Sequence, residues 1–154
     1  MSETSNEESF SKLPEGSKGE RQDEKIYFEY SASLRIFGII ADLDGITHRL
    51  GVMPTHTHRQ GDRRGPTSTP YKHDMWSYTA PVKNTESLHV HIDALWNTLR
   101  EHRQFLLQLK HPLTVDAFLT YSSNCDHAGV EIPYQSLEMF RELQIPFGLS
   151  IIVV

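Results

Sequence analysis

The chain is short of cysteine, of excess charge and of long apolar runs, and each shortage removes a class of explanation. A single cysteine, Cys125, leaves no intramolecular disulfide. Burial alone must therefore hold the core, as in a reducing compartment. No apolar run approaches the roughly 20 residues of a membrane helix, and no apolar stretch follows a basic start, so neither a membrane span nor a secretory signal is expected. Acidic residues outnumber basic ones by 20 to 15, a formal net charge of -5. Broad binding to nucleic acid needs a net basic footprint, so the chain argues against it. It also lacks a glycine-rich phosphate loop, an HExxH, a GxSxG and a paired-cysteine ligand set. The expected setting is cytoplasmic, and no cofactor is assigned.

What remains is the composition of a soluble globular protein: 154 residues, 38% hydrophobic and 23% charged. That is one domain's length, enough to bury a core without staples. Residues 1–24 are polar, charged and nearly free of aliphatic side chains. They cannot bury enough surface to offset ordering, and a disordered tail is expected there. A single domain is expected over 25–154.

From Ile26 to Ile36 apolar and polar residues alternate, which predicts a long strand with one buried face. Leu43, Ile46 and Leu50 recur at helical spacing, with Asp42 as N-cap and Gly51 closing the helix; Gly45 weakens that helix. Met53 to Lys72 reads as loop, with Gly61, Gly65, Pro66 and Pro70. A short strand follows around Trp76. Leu88, Ile92, Leu95, Leu99, Leu106 and Leu109 then form a stripe over about six helical turns, interrupted only by His102. Leu113 to Tyr121 alternates again. "VEIPY" (130–134) reads as a short strand and "QSLEMFREL" (135–143) as a short helix. The closing "PFGLSIIVV" is apolar on both faces at its end, so it is expected to be central or covered. The sum is an α+β fold, with a largely antiparallel sheet and helices packed on one face.

The succession "LRIFG", "LDGITHRLGVMPT", "RQGD", "MWSY", a long Leu-striped helix, "LTVDAFLTY" and "FGLSI" resembles a bacterial family, domain-of-unknown-function family 4279. The resemblance covers about residues 28 to 153. It implies an α+β fold in a small intracellular bacterial protein and supplies no reaction, cofactor or catalytic residue. The polar N-terminal stretch departs from the compact family pattern.

The residues that invite chemistry cluster in "MPTHTHRQGDRR". His56 and His58 point the same way if the segment is extended, and such a pair fills two positions of a zinc site. A third ligand would have to come from His73, Asp74, Asp126 or His127, and no metal is assigned. Arg59, Arg63, Arg64, Lys72 and His73 make this loop the one basic neighbourhood. Arg forks there could hold an anion or an acidic partner; alternatively Asp62 and Asp74 neutralise them. A long loop inside a compact domain is often functional. Trp76 floors a ligand pocket or belongs to the core, and a strand aromatic more often does the latter. His89 and His91 open a helix about 200° apart around its axis, so they cannot share an ion. Cys125 and His127 stand in a short turn with no pocket or oxyanion hole, so no catalytic pair is assigned.

The first strand's other face carries Tyr27, Glu29, Ser31, Ser33 and Arg35; the later strand's carries Thr114, Asp116, Phe118 and Thr120. With all helices on one side, this aromatic and polar face is open: it is either simply solvated or a surface for a partner or a second copy, where Tyr and Arg are enriched. The expectation is a non-enzymatic protein-binding module of regulatory or immunity type. It would hold a protein partner, or a second copy, on the open face or on loop 55–74. His56, His58, Arg59, Asp62, Arg63, Arg64 and Trp76 are the candidate ligand- or partner-binding residues. The alternative is a small-ligand- or metal-dependent enzyme using the His/Arg-rich loop 55–74, centred on His56, His58 and Arg63.

Overall fold

Alternation in the sequence becomes a two-sided sheet in the computed structural model, which describes residues 25–125 and 129–154. The expected tail, residues 1–24, and two candidate ligands, Asp126 and His127, lie outside the described residues. The strands are β1 (Phe28–Gly38), β2 (His56–His58), β3 (Asp74–Thr79), β4 (Thr114–Ser123) and β5 (Phe147–Val153). The helices are α1 (Leu43–Leu50), α2 (Leu88–Leu99), α3 (Arg103–Leu109) and α4 (Glu138–Leu143). Strand order is β2-β3-β1-β4-β5. All neighbours are antiparallel except β4 and β5, which run parallel. A parallel pair needs a crossover, and the segment carrying α4 supplies it. The α+β expectation, a largely antiparallel sheet, therefore holds.

Ala32, Leu34 and Ile36 of β1, Trp76 of β3, and Val115, Ala117 and Leu119 of β4 are all buried, as is Tyr121 of β4, whose ring lies against those of Phe28 and Tyr30. The aliphatic residues and Trp76 meet Ile46 and Leu50 of α1, Ile92, Leu95 and Leu99 of α2, Leu106 of α3 and Met139 and Leu143 of α4. The alternate residues of each strand face away from this core.

The caps of α1 are those the sequence promised. The Asp42 carboxylate accepts from the Gly45 N–H at 2.9 Å, and left-handed Gly51 closes the last turn. Gly45 also makes room for the cap: a Cβ there would lie 2.5 Å from Oδ2 of Asp42, the carboxylate oxygen beside the capping Oδ1, and would push the capping side chain aside.

Four expectations need correction. The long leucine-striped helix is not continuous: a 3₁₀ turn at Arg100–His102 separates α2 from α3, with His102 half-buried there. Residues 130–134 form no strand: the segment stays irregular up to Pro133, and Tyr134 already begins a 3₁₀ turn. His56 to His58 is a strand, short enough to pass for loop. Most telling, among the described residues β5 is neither central nor covered. It is an edge strand, with Phe147, Leu149, Ile151, Ile152 and Val153 between 42% and 59% exposed.

Candidate functional site

The face of the sheet away from the helices is built by register. Arg35 of β1 lies between Ser77 of β3 and Asp116 of β4, and His56 of β2 pairs with Ser77. One row therefore runs His56, Ser77, Arg35, Asp116. The next runs His58, Met75, Phe37, Thr114. Toward the other end come Thr79, Ser33 and Phe118, then Ser31 and Thr120.

Arg35 is the centre. Its Nε and Nη2 donate to the two Asp116 carboxylate oxygens at 2.8 and 2.7 Å. The guanidinium carbon lies 4.6 Å from the Phe118 ring centroid and 5.8 Å from that of Phe37. A two-pronged carboxylate contact fixes the plane of the guanidinium, and flanking rings favour its charge. The cation is thus held rigid in a half-exposed, aromatic setting. Hydroxyls tie the neighbouring rows: Ser33 with Thr79 at 2.7 Å and Thr79 with Thr55 at 3.1 Å.

The β2 edge carries a ledge of rings. His56 and His58 do point the same way, with His56 Nε2 and His58 Nδ1 2.8 Å apart. Tyr71 lies flat on His58, ring centroids 3.6 Å apart and planes 6° from parallel. Burial holds the His58 pKa below the usual histidine range, and the charge of His56 adds to the effect. Neither Tyr71 nor Phe37 was singled out from the sequence. The signal was there: Phe37 extends the alternation that puts Arg35 outward, and Tyr71 is an aromatic set in a polar loop.

The expected basic cradle is spent largely on holding its own loop. Asp74 is buried and accepts from the Ile40 N–H and the Gln60 N–H, each at 2.8 Å. These donors, first Gln60 and then Ile40, hold its pKa below the usual aspartate range, with Arg59 adding to them. Arg59 donates from Nη1 to the Ile40 carbonyl and approaches Asp74 at 3.4 Å. Asp62 accepts from the Arg59 N–H at 2.9 Å, which fixes the tight turn where Gly61 takes φ 88°. Arg63 donates to the Ser68 carbonyl at 2.8 Å. Arg64 and Lys72 have no ion-pair partner among the described residues.

Trp76, weighed as a pocket floor, is completely buried on the helix side, and its indole N–H donates to the Thr47 hydroxyl at 2.9 Å. It offers no surface to a ligand. His91 is buried in α2 while His89 is half-exposed, in keeping with their separation around the helix. Among the described residues no three His, Cys, Asp or Glu side chains gather as a metal site. No helix among them is long and apolar enough to cross a membrane.

Comparison with known proteins bears on this geometry in one way. The family model "Domain of unknown function (DUF4279)" matches residues 28–154, from the start of β1 through β5, so the chain belongs to that family. Neither the curated proteins nor the solved structures give a significant match.

Proposed function

We propose that this member of the family is a non-enzymatic protein-binding module, seating a protein partner on the helix-free face of its sheet in a regulatory or immunity-type role in the bacterial cytoplasm. The observation that carries this reading is Arg35, clamped by Asp116 and bracketed by Phe37 and Phe118 at the middle of that face. Interface hot spots favour arginine and aromatic anchors whose ordering is already complete before the partner arrives. Hydroxyls around this centre supply a polar rim, and the His56–His58–Tyr71 ledge extends it to one side. The single cysteine is consistent with a reducing interior.

The test uses the full chain as bait in cell lysate, read by mass spectrometry, with Phe118→Asp and Met53→Asp compared in parallel. Met53 is exposed and lies off the face. A stoichiometric partner lost at least about tenfold with Phe118→Asp and kept with Met53→Asp supports the reading. A partner indifferent to Phe118→Asp, or a purified chain that turns over a small substrate, sinks it.

The alternative, a small-ligand- or metal-dependent enzyme on loop 55–74, keeps one observation in its favour, the close His56–His58 pair. Metal analysis of the untagged protein decides it. Content well below one equivalent, with no stabilisation by added zinc, removes the metal form.

A further inference from the structure

The two edges of the sheet are built in opposite ways. The β2 edge is only three residues long and carries two histidines. That is how natural sheets blunt an edge: keep it short and polar. The β5 edge has seven residues, FGLSIIV, with no charge and no proline. Of these only β4 pairs with it among the described residues. A strand of this length is roughly 23 Å long at ~3.3 Å per residue. It presents a full row of backbone donors and acceptors on its outer side. Left bare, it would be a site of uncontrolled association.

We infer that β5 pairs antiparallel with β5 of a second copy, about a twofold axis at Ser150, to make one continuous ten-stranded sheet. The residue pattern is what selects a second copy as the occupant. Reflecting the strand about Ser150 places Leu149 opposite Ile151, Gly148 opposite Ile152 and Phe147 opposite Val153. In an antiparallel pair directly opposed residues share a face. Register with β4 puts Phe147, Leu149, Ile151 and Val153 on the core side of the sheet, beside Ala117, Leu119 and Tyr121. Gly148, Ser150 and Ile152 fall on the other side, beside Phe118, Thr120 and Ser122. Apolar residues therefore meet apolar ones on the core side across the twofold. The two serines meet at the axis, and no like charges oppose each other. An isologous interface requires this self-complementarity, since each patch must fit its own copy.

The area also suffices. The strand's five large apolar side chains are about half exposed. Covering the strand's share removes on the order of 500 Å² per copy, close to the ~1,000 Å² total that a specific interface needs. The backbone bonds of the new ladder come in addition. A twofold perpendicular to the sheet keeps both helix-free faces on one side of the extended sheet. The dimer would thus present two Arg35 centres side by side, although the pairing itself does not depend on what those centres bind.

The experiment is sedimentation equilibrium of the full chain across a concentration series, with Ile151→Lys, Ile152→Lys and Ile39→Lys. All three positions are at least half exposed, so each variant is expected to fold, and circular dichroism with a urea melt confirms it. Ile39 lies away from the edge, in the turn after β1. The expected result is a dimer for the unaltered chain and for Ile39→Lys. For Ile151→Lys the dissociation constant should rise about 100-fold or more, because the twofold places each substitution in the interface twice. A second measurement reads the register. Ser150→Cys should form an intermolecular disulfide under mild oxidation, which the native Cys125 alone does not; opposed residues near the axis lie within disulfide reach. A monomer at ~100 μM, a concentration where a specific homodimer of ~1 μM affinity is saturated, overturns the inference. It would mean that the edge is covered from within the chain or by a different protein. A dimer that survives both edge lysines, or one that Ser150→Cys fails to cross-link, overturns it as well, and places the contact elsewhere, for example on the helix-free face.

Discussion

Replacing Trp76 with phenylalanine separates the scaffold from the face it supports. The indole is completely buried and its N–H reaches the Thr47 hydroxyl of α1 at 2.9 Å, joining β3 to the helix layer. Phenylalanine fits the same space but lacks the pyrrole part of the ring. At ~0.8 kcal/mol per buried methylene equivalent, the lost burial costs about 1.5–2 kcal/mol. The lost hydrogen bond adds about 1 kcal/mol, since the Thr47 hydroxyl then faces a ring that cannot donate to it. The expected destabilisation is about 2–3 kcal/mol, read as a lower urea midpoint with an unchanged slope. In a domain of this size that lowers Tm by about 5–10 °C. Thr47→Val tests the hydrogen bond from the other side, and the double-mutant cycle should return a coupling of about 1 kcal/mol. Circular dichroism serves as the probe, because the substitution alters tryptophan fluorescence directly. A cost below ~1 kcal/mol for Trp76→Phe would refute the burial reasoning. A coupling indistinguishable from zero would refute the contact with Thr47. Trp76 faces the helices, so the folded variant should bind a partner of the opposite face with unchanged affinity.

Asp74→Asn should flatten the acid limb of stability. The carboxylate titrates below the usual aspartate range because backbone N–H groups hold its charged form. Its contribution is present above that range and is lost as pH falls through the folded value. Urea midpoints between pH 6 and pH 2 check this, and an equally steep acid loss in the variant would count against it. Tyr71→Ala should raise the His58 pKa toward the usual histidine value, because burial is the main cause of its depression and the variant uncovers the face of His58 on which Tyr71 is stacked. An imidazole proton titration by NMR reads it, and an unmoved His58 would mean that the ring does not lie there in solution. Asp42→Ala removes the acceptor for the Gly45 N–H and should cost about 1 kcal/mol, the usual worth of an N-cap. Chemical denaturation with no shift would discount the cap.

Local rules and periodicity carried most of the fold. The 26–36 alternation gave β1 to within two residues, and the caps of α1 were legible because each is decided by its immediate neighbours. Arg35 and Asp116 were assigned to the same face from alternation alone, and the register then brought them into contact. Where the reading failed, the deciding fact was nonlocal. An apolar strand is expected to be buried, yet whether it lies at an edge depends on strand order, which no residue of β5 encodes. The broken leucine-striped helix and the three-residue β2 likewise depend on what packs against them. In the site, composition located the His/Arg loop. It could not tell which arginines would be consumed by Ile40, Asp74 and Ser68, since those partners lie in the surrounding turns. Trp76 was read as more often core than pocket floor, as for a strand aromatic in general, and it is fully buried.

The loop between β2 and β3 is pinned at its neck. Gly61 N–H donates to the Tyr71 carbonyl at 2.9 Å, Tyr71 N–H donates to the Asp62 carbonyl at 2.8 Å, and Asp74 anchors the base. Everything between Arg63 and Pro70 hangs beyond that clasp. Length and sequence can therefore drift there without disturbing the sheet: doubling such a loop costs only about 0.6 kcal/mol in closure entropy. In the laboratory this stretch is the natural place to graft an epitope or a second recognition element. The clasp makes that neck a boundary between a scaffold under strict constraint and a segment free to acquire new specificity.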